Sequence, residues 1–316
     1  MLGLAPFGVM TGAARAQASY PTHPVRVILP FAAGGVADIT ARLAAQKLGD
    51  KLGQNFFIEN MPGAGGIAAA RAALSGGTDG YTLTLLTNGT AISVSLFDHL
   101  PFDPVKDFAP ISLIGTFEAV FVTGAASPYQ TLGDVLKAAR EKPGTLNIGT
   151  VNVGSTQNLT AELFRSMAGI DAVIVPHRGT PDVVVALLRG DVQMGIDFYA
   201  GLKPSLDNGQ AHAVATGGVK RSLALPDVPT VQEGGVPGFE VVSWNGLFAP
   251  TGTPAAIIEK INATLQGILA DPELKKRALE LGIIAESSSP ADLEKHLRDD
   301  IDKWGKVIAQ AHIPKQ

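Results

Sequence analysis

The chain has 316 residues, 46% hydrophobic and 17% charged, which is enough apolar material for two α/β cores and too much for a disordered polymer. Its 25 Lys and Arg against 29 Asp and Glu give a net charge of −4, with no basic footprint for nucleic acid or anionic lipid. Cysteine is absent, which excludes disulfides and thiolate metal sites.

The first segment, "MLGLAPFGVMTGAARAQASYP", is apolar and Gly/Ala-rich and runs into Ala16-Gln17-Ala18, an A-x-A pattern for signal peptidase. It is too short to span a bilayer. No Lys or Arg precedes the apolar run, so the expected signal peptide over 1–18 lacks its charged start and reads as incomplete. The mature chain is expected to begin near Ser19 and to be exported to the periplasm.

From there, short β-branched runs alternate with helical patterns, as in a parallel α/β protein. Val25–Pro30 reads as a strand and Asp38–Leu52 as a helix; Phe56–Glu59 is a second strand, followed by the Gly-rich "NMPGAGG" and an Ala-rich helix. Tyr81–Thr87 is a third strand, ending in a ligand-side loop, "TNGTAISVS". "FAPISLIGTFEAVFVTG" is long enough to run from one sheet into another, with a crossing expected at 118–123. A second series follows, in which strands from Leu146, Ala172 and Gln193 alternate with helices from Leu132, Thr156 and Pro181. The strand "AHAVATGG" (Ala211–Gly218) is expected to carry the chain back at 214–220. Thr253-Pro254, Asp271-Pro272 and Ser289-Pro290 each look like a cap before a proline-led helix. The expected architecture is a clamshell, with lobe 1 formed by 19–121 and 217–316 and lobe 2 by 122–216.

Several chemistries lack their signatures. No G-x-G-x-x-G follows the first strand and no phosphate-loop lysine motif occurs, so a nucleotide cofactor is not expected. There is no G-x-S-x-G elbow, and the six histidines show no metal-ligand spacing. Asp38 could act as a base at the cleft mouth, but an Asp in a first helical turn more simply complements the dipole. Asp197, at a strand end, has the same two readings. Gly34-Gly35 and Gly154-Ser155-Thr156 suit another task, because each exposes backbone N–H groups at a helix start where a carboxylate can bind. Phe31, His177 and Phe198 could supply flat walls, and the Arg178 fork could pair a second carboxylate or simply lie on the surface.

The stretches "YPTHPVRVILPFAAGGVADITARLAAQKLGDKLGQNFFIENMPGAGG", "LPFDPVKDFAPISLIG", "LLRGDVQMGID" and "KRSLALPDVPTVQEGGVPGFEVVSWNGLFAPTGTP" resemble the extracytoplasmic solute receptors of tripartite tricarboxylate transporters, the Bug (TctC) family. The similarity runs in order from Tyr20 to Ile313. It implies a periplasmic-binding-protein fold, no enzymatic activity, no cofactor, and delivery of a small carboxylate to a membrane permease pair by a monomeric receptor. It further implies a first-lobe carboxylate loop at Phe31, Ala33, Gly34, Gly35 and Asp38, and a second loop at Thr87, Asn88, Gly89 and Thr90. The facing lobe would contribute Gly154, Ser155, Thr156 and Asn158, then His177, Arg178, Gly179 and Thr180, with Asp197 at the hinge side. His177 stands where the family often has Tyr, and Asn158 where it often has His, so the ligand does not transfer from relatives. A receptor docking on a signalling partner and an α/β enzyme acting on an organic acid are the rival functions.

Overall fold

The computed structural model describes residues 20–316; the signal peptide expected over 1–18 and the start expected at Ser19 lie outside them. The first half begins β1 (Val25–Leu29), α1 (Val36–Leu52), β2 (Phe56–Asn60), α2 (Ile67–Leu74), β3 (Thr82–Thr87) and α3 (Asn88–Leu96). Gly53, in the left-handed region at φ 75°, ends α1 with its N–H on the Gly49 carbonyl. Helix α3 replaces the loop expected after the third strand. The Thr87 hydroxyl accepts from Gly89 N–H and the Thr90 hydroxyl from Thr87 N–H, a reciprocal cap that starts a helix in spite of its β-branched content.

β4 (Phe108–Gly124) then leads into α4 (Leu132–Glu141), β5 (Leu146–Val151), α5 (Thr156–Ala168), β6 (Ala172–His177), α6 (Thr180–Arg189), β7 (Met194–Phe198), α7 (Tyr199–Asp207) and β8 (Ala211–Thr216). β9 (Val242–Pro250) and the helices α8 (Ala255–Leu269), α9 (Pro272–Leu279) and α10 (Pro290–Gln310) complete the chain. Asp271 caps α9 and Ser289 caps α10, as their positions before proline suggest. Thr253 instead donates its hydroxyl to the Pro250 carbonyl, and α8 starts without a side-chain cap.

The strands run in the order β2-β1-β3-β9-β4-β7-β5-β6, with β8 also on β4. β4 joins two halves. Its residues Phe108–Glu118 pair antiparallel with β9, and Ala119–Gly124 pair with β7 and β8. β8 therefore stays in the second sheet, where it fills the free edge of β4. Residues 217–241 remain there too: Phe239 packs edge-on against Phe121 and Phe164, and Gly217 N–H donates to the Ala119 carbonyl. The strand that returns to the first sheet is β9, at Val242, rather than Ala211–Gly218. α10 then lies against α3 and β4, burying Leu293, Leu297, Trp304 and Ile308.

Candidate functional site

The carboxyl ends of the parallel strands in both halves face one another, and the helices that follow them begin there. At the end of β1 the chain turns through Gly34 (φ 88°), a left-handed position suited to glycine, and α1 starts from Gly35 with no side-chain cap. α6 starts from Gly179, also uncapped. The first turn of α1 leaves N–H groups without partners in its own helix; at the start of α6, Pro181 has no N–H and Asp182 N–H donates to the Gly179 carbonyl at 3.1 Å, which leaves that of Thr180. The two starts abut: a Cβ on Gly35 would lie 2.9 Å from Thr180 Oγ1, and one on Gly179 would lie 2.7 Å from Ala32 Cβ. Further along the seam, Gly65 N–H donates to the Val153 carbonyl at 3.2 Å and Asn152 Nδ2 to the Gly63 carbonyl at 2.7 Å.

Between these starts lies a narrow, partly open cavity. The beginnings or caps of five helices line it: Gly35 and Val36 of α1, Thr87 of α3, Thr156 of α5, Gly179 and Thr180 of α6, and Phe198 of α7. Phe31, Phe117 and Phe198 give it aromatic walls, the last two edge-on at 4.6 Å. Gln157, Ser243 and Asn245 add polar groups. Asn245 is 1% exposed and its Nδ2 has no partner among the described residues. No lining residue is charged. Helix starts that point into an uncharged cavity favour an anion through their backbone dipoles.

Of the residues expected from the sequence, Phe31, Gly35, Thr87, Thr156, Gly179, Thr180 and Phe198 reach this cavity. Gly89, Thr90, Gly154 and Ser155 line a smaller adjoining space, and the Ser155 hydroxyl caps α5 by accepting from Asn158 N–H. The Asn158 amide turns inward to Thr150 Oγ1, and that of Asn88 turns to Asp300. Ala33 and Gly34 stand exposed at the rim. Gly34 N–H donates to Asp38 Oδ2 at 3.1 Å, so Asp38 already occupies a position expected for a ligand oxygen. Burial raises the Asp38 carboxyl, but hydrogen bonds from Arg42, Gly34 and Asn60 outweigh it and leave the pKa below its ordinary value.

Asp197 lies under the cavity wall, fully buried. Its Oδ1 accepts from Gln157 Nε2 at 2.9 Å and from Phe198 N–H at 2.8 Å, and the Thr180 hydroxyl also favours its charge, but burial outweighs these donors and drives its pKa upward. His177 and Arg178 line a separate outer groove with Pro62–Ala64. The Arg178 side chain is 84% exposed and pairs with Asp182 at 3.0 Å, so it does not bridge the cleft here. Sequence reading missed Ser243 and Asn245. Their signal was present, because two polar residues spaced by two in an otherwise apolar strand share one face.

The profile of the tripartite tricarboxylate transporter family receptor matches residues 40–313. The chain belongs to this family. Its members are receptors, not enzymes, which removes the enzyme alternative. Among solved structures, an R. palustris protein with adipate is 33% identical at a TM-score of 0.91, covering 94% of this chain and 100% of its own. MatC from Rhodopseudomonas palustris with bound malate is 33% identical at 0.86, covering 92% and 100%. The periplasmic binding protein BugD is 28% identical at 0.89, covering 94% and 100%. The two-lobed solute-binding fold is thus shared along almost the whole chain.

Proposed function

We propose that the receptor is exported with residues 1–18 removed, captures a small organic carboxylate in this cavity, and closes its lobes over it for delivery to a membrane permease of the tripartite tricarboxylate type. The observation that carries this reading is the uncharged cavity flanked by uncapped helix starts from both lobes, α1 and α6. An anion held by both starts favours the state in which they meet, and such differential affinity is how a ligand drives closure. Adipate and malate, bound by two relatives, are both dicarboxylates, which supports this ligand class. One carboxylate would lie against Gly35 and the other polar end towards Thr180 and Asn245. The three Phe walls also admit a compact aromatic acid.

A thermal-shift screen against mono-, di- and aromatic carboxylates tests it. An acid at about a hundred times its dissociation constant should add about 2.7 kcal/mol of stability. Gly35→Pro, which deletes one N–H and places a ring against Thr180, should abolish that gain without unfolding the free protein. A panel that stabilises nothing, or equal stabilisation of the variant, rejects the site.

A further inference from the structure

Asp300 sits on α10, half-buried and outside the cavity. Its Oδ2 accepts from the Trp244 indole N–H on β9 at 2.6 Å and from Asn88 Nδ2, at the start of α3, at 2.5 Å. An ionised carboxylate only accepts. The NH2 of Asn88 must therefore face Asp300, which points Asn88 Oδ1 away from it. There Oδ1 meets the hydroxyl of Thr156, the first residue of α5 in the facing lobe, at 3.0 Å. An amide oxygen also only accepts, so Thr156 donates across the seam. With its one proton committed, Thr156 must accept from Ser243 Oγ at 3.2 Å, and Ser243 is the neighbour of Trp244 on β9. Donation runs from Ser243 on β9 to Thr156 on α5, across the seam to Asn88 on α3, and on to Asp300 on α10, which also accepts from Trp244 on β9 and is where both arms end.

We propose that Asp300 is a positioning residue for lobe closure, holding the Asn88 amide in the one orientation that receives the Thr156 hydroxyl. Without it the Asn88 amide turns freely, and the facing lobe arrives at a donor as often as at an acceptor. The inference rests on closure as proposed above but not on which acid the cavity takes. It assigns part of the closing energy to a group that never touches the ligand.

The test reads the Gly65 amide, whose partner, the Val153 carbonyl, belongs to the other lobe. Its hydrogen-exchange protection therefore follows the closed-to-open ratio. Protection is measured in the protein alone and with adipate or malate present. Asp300→Ala should lower protection at Gly65 by about tenfold, the scale of one charge-assisted hydrogen bond. Asp300→Asn, which keeps an acceptor for both donors, should restore most of it, and amides within β1 and α1 should not change. Thr156→Val should give the same loss alone, and Asp300→Ala should add little in its background, because both act through one contact. Three results would overturn the proposal: unchanged protection in Asp300→Ala, full additivity with Thr156→Val, or no protection at Gly65 in the wild-type chain under either condition. Failure of every acid to bind would instead show in the thermal screen and count against the proposed ligand class.

Discussion

Two buried carboxyls, Asp38 and Asp197, are held in opposite ways, and the difference is testable by pH. Asp38 has donors on both oxygens, so its charge is welcome and its pKa falls. Asp197 has Gln157, Thr180 and Phe198 N–H as donors, but its complete burial outweighs them and lifts its pKa above the ordinary 3.8. A raised carboxyl stabilises the fold below the unfolded value and loses that contribution as pH climbs through the folded one. Asp197→Asn keeps an acceptor for Gln157 and Phe198 N–H and carries no charge. It should therefore melt higher than wild type at pH 8, by about 1–3 kcal/mol for relief of one poorly satisfied buried group. That gain should shrink as pH falls towards 3.8. A variant less stable than wild type at pH 8 would show that the charge itself is needed there. Residue type was a poor guide at this scale. Arg178 has the chemistry to grip a carboxylate, yet Asp182, four positions on, pairs with it at the surface, and that choice depends on side-chain direction, which sequence does not show.

At the scale of elements, helix starts matter more than side chains. The Gly-led start of α1 was legible because glycine after a strand leaves N–H groups free; its expected counterpart, Gly154-Ser155-Thr156 at the start of α5, is instead capped by the Ser155 hydroxyl, and the uncapped facing start is that of α6 at Gly179. α3 was not legible, because "NGTAISVS" has the composition of an extended segment and only the mutual capping of Thr87 and Thr90 shows otherwise. Gly179 provides an element-level prediction. Its backbone is extended (φ −177°), so alanine is tolerated there, but the added Cβ would meet Ala32 of the other lobe at 2.7 Å. Gly179→Ala should leave the melting temperature of the free protein nearly unchanged and weaken binding of any stabilising acid by at least about tenfold, since overpacking a close contact typically costs 1–3 kcal/mol. Calorimetry giving wild-type affinity would mean that α1 and α6 do not approach this closely when ligand is bound.

Across the whole molecule, the alternation of strands and helices was readable from periodicity, and the long β4 announced the first crossing. The return was misplaced because "AHAVATGG" reads as a strand whichever sheet takes it; pairing with β4 is decided by a distant edge, not by local pattern. Leu225 packs near Val120, Leu202 and Ala211, so residues 217–241 should move with the second lobe. With no native cysteine, spin labels can be placed at will. The distance between Leu223→Cys and Lys137→Cys should stay constant when an acid is added, while that between Leu223→Cys and Lys51→Cys shortens. The reverse pattern would assign this segment to the first lobe. The uncharged lining of the cavity has a last consequence, for divergence among duplicated genes. In the proposed site backbone supplies the attraction for an anion, so substitutions at Phe117, Ser243 or Asn245 should change which acid fits without surrendering that attraction. A copy of this gene can therefore drift to a new nutrient through viable intermediates, each still a receptor for some acid.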